Sequence, residues 1–185
     1  MHLLDAHLPS TVEEAAMCVR LREFVTSYTD CFERTLQIGH VTGSAWVVNL
    51  DYTRVLLTHH AKLGKWLQLG GHADGDPDLP GVALREAREE SGLSRIAPVS
   101  ESIFDVDIHL IPARQPDPAH YHYDVRFLLQ ADSREDLRIS FESRDLRWVE
   151  IARVAELAPE ESMLRLVRKT RPWIPALKSR PNRAG

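Results

Sequence analysis

The spacing of apolar and polar residues divides the chain into alternating helical and extended stretches. Between Pro9 and Gly39 there is neither Gly nor Pro, and Val12, Ala15, Ala16, Val19, Phe24, Cys31 and Phe32 fall near a helical period. Ser10 followed by Glu13 has the form of a capping box, so one long helix or two short ones are expected here. The period then shortens. HVTGSAWVVNLD and YTRVLLTHHA are rich in Val, Leu and Thr and predict two strands joined by a turn at Asn49–Thr53. A strand ending at Gly70-Gly71 gives way to a loop, His72 to Leu79, dense in Gly, Asp and Pro. Val82 to Ser91 has helical spacing, with Gly92 as its C-cap. SIFDVDIHLIP and HYHYDVRFLLQA alternate as strands, and the connection between them carries Arg114 to Pro118. Leu146 to Val149 predicts a short strand. Pro159, Glu160 and Glu161 open a last helix that runs to about Arg171. This order predicts one mixed α/β (α+β) domain with helices on both faces of a sheet.

Composition narrows the class. The 185 residues suit one domain, and 43% apolar residues suffice for a core. The charge of −4, from 23 Lys+Arg against 27 Asp+Glu, argues against a dedicated DNA binder and a polybasic membrane-surface protein. No apolar run has the length of a bilayer span, and MHLLDAHLPS lacks the basic flank and apolar stretch of a secretory signal. Cys18 and Cys31 form no CxxC pair and read as thiols in a reducing compartment, so a cytoplasmic location is expected.

The candidate chemistry lies between Gly71 and Gly92. Glu86, Glu89 and Glu90 stand at i, i+3 and i+4, on one face of the expected helix. Like charges so placed repel. Arg85 and Arg88 can neutralise them, and so can a hard divalent cation. Six acids (the three glutamates with Asp74, Asp76 and Asp78) face only two bases in this stretch, a local charge of 2 − 6 = −4 that equals that of the whole chain.

The same stretch resembles the Nudix box, in which a Gly, five residues, a Glu and seven residues precede Arg-Glu-apolar-x-Glu-Glu-x-Gly-apolar. Counted from Gly71, Arg85, Glu86, Ala87, Glu89, Glu90, Gly92 and Leu93 match in turn. The first Glu of the pattern is replaced by Pro77; in the family that Glu pairs with the box Arg, and Asp74, Asp76 or Asp78 is left as its substitute. The resemblance implies a Nudix-type α/β/α sandwich with a mixed sheet over 39–174, an N-terminal helical extension over 1–38 and a C-terminal tail over 175–185. It implies a hydrolase that cleaves a pyrophosphate bond in a nucleoside diphosphate linked to another moiety, using Mg²⁺ or Mn²⁺. Glu86, Glu89 and Glu90, with Gly71, are the implied metal site; Glu86, Glu89 and Arg85 are the implied catalytic set. Glu142, before the Trp148 strand, is a candidate further ligand or general base, against an ordinary exposed loop acid. Homodimerisation is common in the family and stays open.

The histidines add a second pattern: all nine lie at or before residue 122. On alternating strands Asp105, Asp107 and His109 share a face, as do His120, His122, Asp124 and Arg126. His109, His120, His122 and Arg126, with His72 after Gly71, are therefore candidate substrate contacts, against a solvated polar face. His120-x-His122 could supply two metal ligands, but nothing in the spacing resembles a zinc finger, and zinc is not expected. His40 and Trp46 stack or pack, and His59-His60 is structural or exposed. Two alternatives remain. A non-catalytic nucleotide sensor on the same fold would be marked by lost metal carboxylates, and none of the three is lost. An isoprenoid-diphosphate isomerase needs a placed Cys or acid, whereas Cys18 and Cys31 both lie in the N-terminal region.

Overall fold

The computed structural model describes residues 2–115 and 118–174. The expected tail over 175–185, and part of the Arg114 to Pro118 connection, lie outside the described residues. Helix α1 is His2–Ala6 and α2 is Val12–Ser27. Strands β1 (Gly39–Asn49), β2 (Arg54–His60), β3 (Trp66–Leu67) and β4 (Leu69–His72) lead into α3 (Leu79–Ser91). Strands β5 (Ile96–Pro98), β6 (Asp105–Ile111), β7 (His120–Ala131) and β8 (Ser143–Glu150) follow, and α4 (Val154–Leu157) and α5 (Glu161–Thr170) close the fold.

The sheet is mixed. β1 runs parallel to β7 from Gly39↔Tyr121 to Asn49↔Ala131. On its other side β1 is antiparallel to β4 and meets β2 at Val48↔Val55. β6 and β5 pair antiparallel with the outer side of β7, and β8 and β3 pair with β2. Every residue of β1 is buried. Its alternate side chains enter two separate cores. Val41, Ala45 and Val47 join Val125 and Phe127 of β7 under α2 and α3, where Leu21, Phe24, Ala83 and Ala87 cover them. Trp46 and Val48 face the other way with Leu128, beneath Val154, Met163 and Leu166 of α4 and α5. This is the expected α/β/α sandwich. α2 docks through Phe24, whose ring stacks on Tyr123 at 3.9 Å between centroids. α5 docks through Thr170, whose hydroxyl accepts the Trp46 indole N–H at 2.8 Å.

Several boundaries differ from expectation. The capping box is displaced by one residue. Thr11 accepts the Glu14 N–H, and Glu14 reaches back to the Ser10 N–H at 2.7 Å. Residues 10–39 hold one helix of 16 residues rather than two; α2 ends at Ser27, where the Thr26 hydroxyl bonds back to Arg22 and Glu23 carbonyls and weakens the last turn. Turns then run to β1. β4 continues through His72, so the loop starts at Ala73. α3 starts earlier than the periodicity suggests, at Leu79, because the Asp78 side chain caps it and Pro80 suits its first turn. Pro159 stands outside α5, ahead of its Glu160 cap.

Candidate active site

The site forms where α3 crosses β4. Two glycines allow the approach. A Cβ on Gly43 of β1 would lie 2.9 Å from Val82 Cγ1, and one on Gly71 of β4 would lie 2.3 Å from Glu86 Oε2. The backbone of β4 therefore faces the acidic side of the helix without an intervening side chain. The Gly70 N–H donates to Glu90 Oε2 at 3.0 Å. Arg85 donates to Glu86 Oε1 at 2.8 Å and to the His72 carbonyl at 3.1 Å, bracing helix to strand. Glu90 is buried, Glu86 is partly covered, and Glu89 reaches into solvent. Glu142 is exposed in the turn before β8, within electrostatic reach of Glu86 and Glu90.

Crowding sets the electrostatics. Burial, together with the charges of Glu86, Glu142 and Glu89, pushes the Glu90 carboxyl up to about 7, against the opposing Gly70 hydrogen bond. Burial raises Glu86 as well, although Arg85 draws it back. A cluster of hard carboxylate oxygens whose ionisation is resisted by desolvation and mutual repulsion suits a divalent cation. The donor set fits Mg²⁺ or Mn²⁺.

A model of the NUDIX domain matches residues 40–170. The chain belongs to the Nudix family. The Nudix chain is similar in fold to an Ap4A hydrolase of C. elegans, with 19% identity, covering 72% of this chain and 96% of that one at a TM-score of 0.58. The E. coli dihydroneopterin triphosphate pyrophosphohydrolase gives 14% identity, 69% and 92% coverage and a TM-score of 0.53. The NUDIX domain of Shewanella oneidensis NrtR, solved with ADP ribose, gives 18%, 82% and 96%, and 0.52. At such identities the likeness concerns the fold. Among curated proteins none matches this sequence.

In this Nudix chain none of the three loop aspartates hydrogen-bonds to Arg85. Asp74 pairs with Arg34, Asp76 accepts the Asp78 N–H, and Asp78 caps α3. Arg34 lies before the box and had no sequence signal. The histidines converge: the His72, His120 and His122 rings all lie within 5.0 Å of the His40 ring, centroid to centroid, and His109 lies 5.6 Å from His122. Position alone could have marked His40, since it alternates with Thr42 and Ser44 on the same face of β1. Arg126 is a correction. It is 2% exposed and committed to Asp105, Asp107 and Asp124, so it is not available to a substrate. The network around it was missed because Arg165 and Lys169, which also reach Asp105, are 60 and more residues away in sequence. Burial pushes the Cys18 thiol up to about 11 and raises Cys31, which suits neither to nucleophilic work.

Proposed function

We propose that this Nudix chain is a divalent-metal-dependent hydrolase that cleaves a pyrophosphate bond in a nucleoside diphosphate linked to another moiety. The reading rests on the carboxylates of α3 gathered against the bare backbone of Gly70 and Gly71. Glu86, Glu89 and Glu90, with the Gly71 carbonyl, are the proposed metal-holding set. When bound, the divalent cation supplies positive charge to phosphate oxygens and acidifies water. Arg85 orients Glu86 through the 2.8 Å contact and ties it to the His72 carbonyl. Glu142 receives the proton from the attacking water at its carboxylate. His72, His109, His120 and His122 cluster at one end of the sheet and meet the remainder of the substrate.

The test is hydrolysis with Mg²⁺ or Mn²⁺, read by separating the nucleotide products, over nucleoside triphosphates, nucleotide sugars, dinucleoside polyphosphates and capped RNA. Glu89 is exposed, so Glu89→Gln leaves the fold intact; its turnover is expected to fall about 10²- to 10⁴-fold, the range for removing a group that acts directly in the chemistry. A wild type inert on the whole panel, or a Glu89→Gln variant as active as the wild type, overturns the assignment.

A further inference from the structure

We propose that His40, His72 and His122 form a second metal site, distinct from the carboxylate cluster, that takes a borderline divalent transition ion such as Zn²⁺. The three side chains come from three adjacent strands. His40 is the second residue of β1 and lies opposite His122 of β7 in the parallel register. His72 ends β4, opposite Thr42 of β1. One ring nitrogen from each lies within 4.8 Å of the other two. The rings surround a common point, with centroids 4.7 Å apart for His40–His122, 4.9 Å for His40–His72 and 5.3 Å for His72–His122.

The second observation concerns His40 itself. It is 2% exposed, and neither of its ring nitrogens has a hydrogen-bond partner. A buried imidazole left without partners costs free energy, so a native position of this kind calls for a ligand. The Leu36 backbone lies close on one side, and the rings of His72, His120 and His122 pack around the rest. His120 points the same way. Its Nδ1–H donates to the Pro118 carbonyl at 2.9 Å, which leaves the Nε2 lone pair turned toward His122 Nε2 at 3.3 Å.

The donor chemistry separates this site from the acids of α3. No carboxylate belongs to the three-ligand group. Imidazole ligates metal through a ring-nitrogen lone pair, and each of the three rings brings one nitrogen to the cluster. Imidazole donors select zinc and its neighbours in the transition series, whereas Mg²⁺ prefers oxygen. Three protein ligands with a fourth position open is the arrangement of catalytic zinc sites, and His120 or a substrate oxygen can fill the fourth. The lone His120-x-His122 pair does not amount to a site. The fold completes it with His40 and His72.

The experiment is a titration of the tag-free, metal-stripped full chain with Zn²⁺, and separately with Co²⁺ read by its visible absorption, both in saturating Mg²⁺. The wild type should bind one tight equivalent that Mg²⁺ does not displace, with an absorption band typical of tetrahedral Co²⁺. Glu86→Gln should keep that equivalent. His40→Gln and His122→Gln should weaken it at least about 100-fold, more than loss of an outer-shell partner does. His72→Gln, at the half-buried end of β4, is the companion variant should the buried substitutions unfold; thermal melts without metal report their folding. Absence of an Mg²⁺-resistant equivalent in the wild type, or its persistence in a folded histidine variant, overturns the proposal.

Discussion

Gly71 shows how one missing side chain can carry a site. Its hydrogen occupies space that a methyl group would contest with the Glu86 carboxylate at 2.3 Å. Gly71→Ala should therefore push Glu86 aside and break its contact with Arg85, while the sheet, which needs no positive φ there, persists. The expected outcome is a fall in metal-dependent hydrolysis of at least about tenfold, the lower end for losing a partner that orients a metal ligand, with an unchanged circular dichroism spectrum. An active alanine variant would show that Glu86 has room elsewhere. At this scale the acids were legible in the sequence, because helical spacing alone places Glu86, Glu89 and Glu90 on one face. Glu90's burial was not, since it depends on Gly70 coming across from another strand. Arg126 misled for a related reason. Its parity on β7 puts it on the histidine face, but α5 covers that end of the face and turns a candidate contact into a buried ion pair.

At the scale of elements, Glu14 is the joint between α2, α5 and β6. Its carboxylate accepts the Ser10 N–H, receives Lys169 from α5, and meets His7 and the Val106 N–H. Burial opposes its ionisation, yet the hydrogen bonds from His7, Lys169 and Ser10 outweigh burial and hold it well below the usual carboxylate range. A depressed folded value means that the ionised group stabilises the protein above the unfolded carboxyl pKa of about 4.3. That contribution is lost as the pH falls toward the folded value. Glu14→Gln should cost about 3 kcal/mol at pH 7, the scale of a broken buried pair, measured by urea unfolding. The gap to the wild type should narrow steadily below about pH 4. A gap independent of pH would mean that packing, not charge, holds the joint. The elements themselves were largely legible where period and punctuation agree, as in β1, β2, α3 and β7. The short strands β3 and β5 were not, because two or three residues carry no period and exist only through pairing with β2 and β7.

For the whole molecule, the parallel pairing of β1 with β7 has a kinetic meaning. Each residue of β1 meets one 82 positions later, as 121 − 39 = 82 for Gly39↔Tyr121. Contacts of such separation must close a long loop before any burial rewards them, which places refolding in the millisecond-to-second range rather than the microseconds of helical bundles. A fragment ending before β7, residues 1–118, should show no cooperative thermal transition. During synthesis β1 emerges early, with Val41, Ala45, Trp46 and Val48 ready for burial on both faces. Its partner arrives only after another 82 residues have been made. β2 and β4 reach β1 first, but its other edge stays open in the meantime, and the step that closes it is the arrival of the strand that bears His120 and His122.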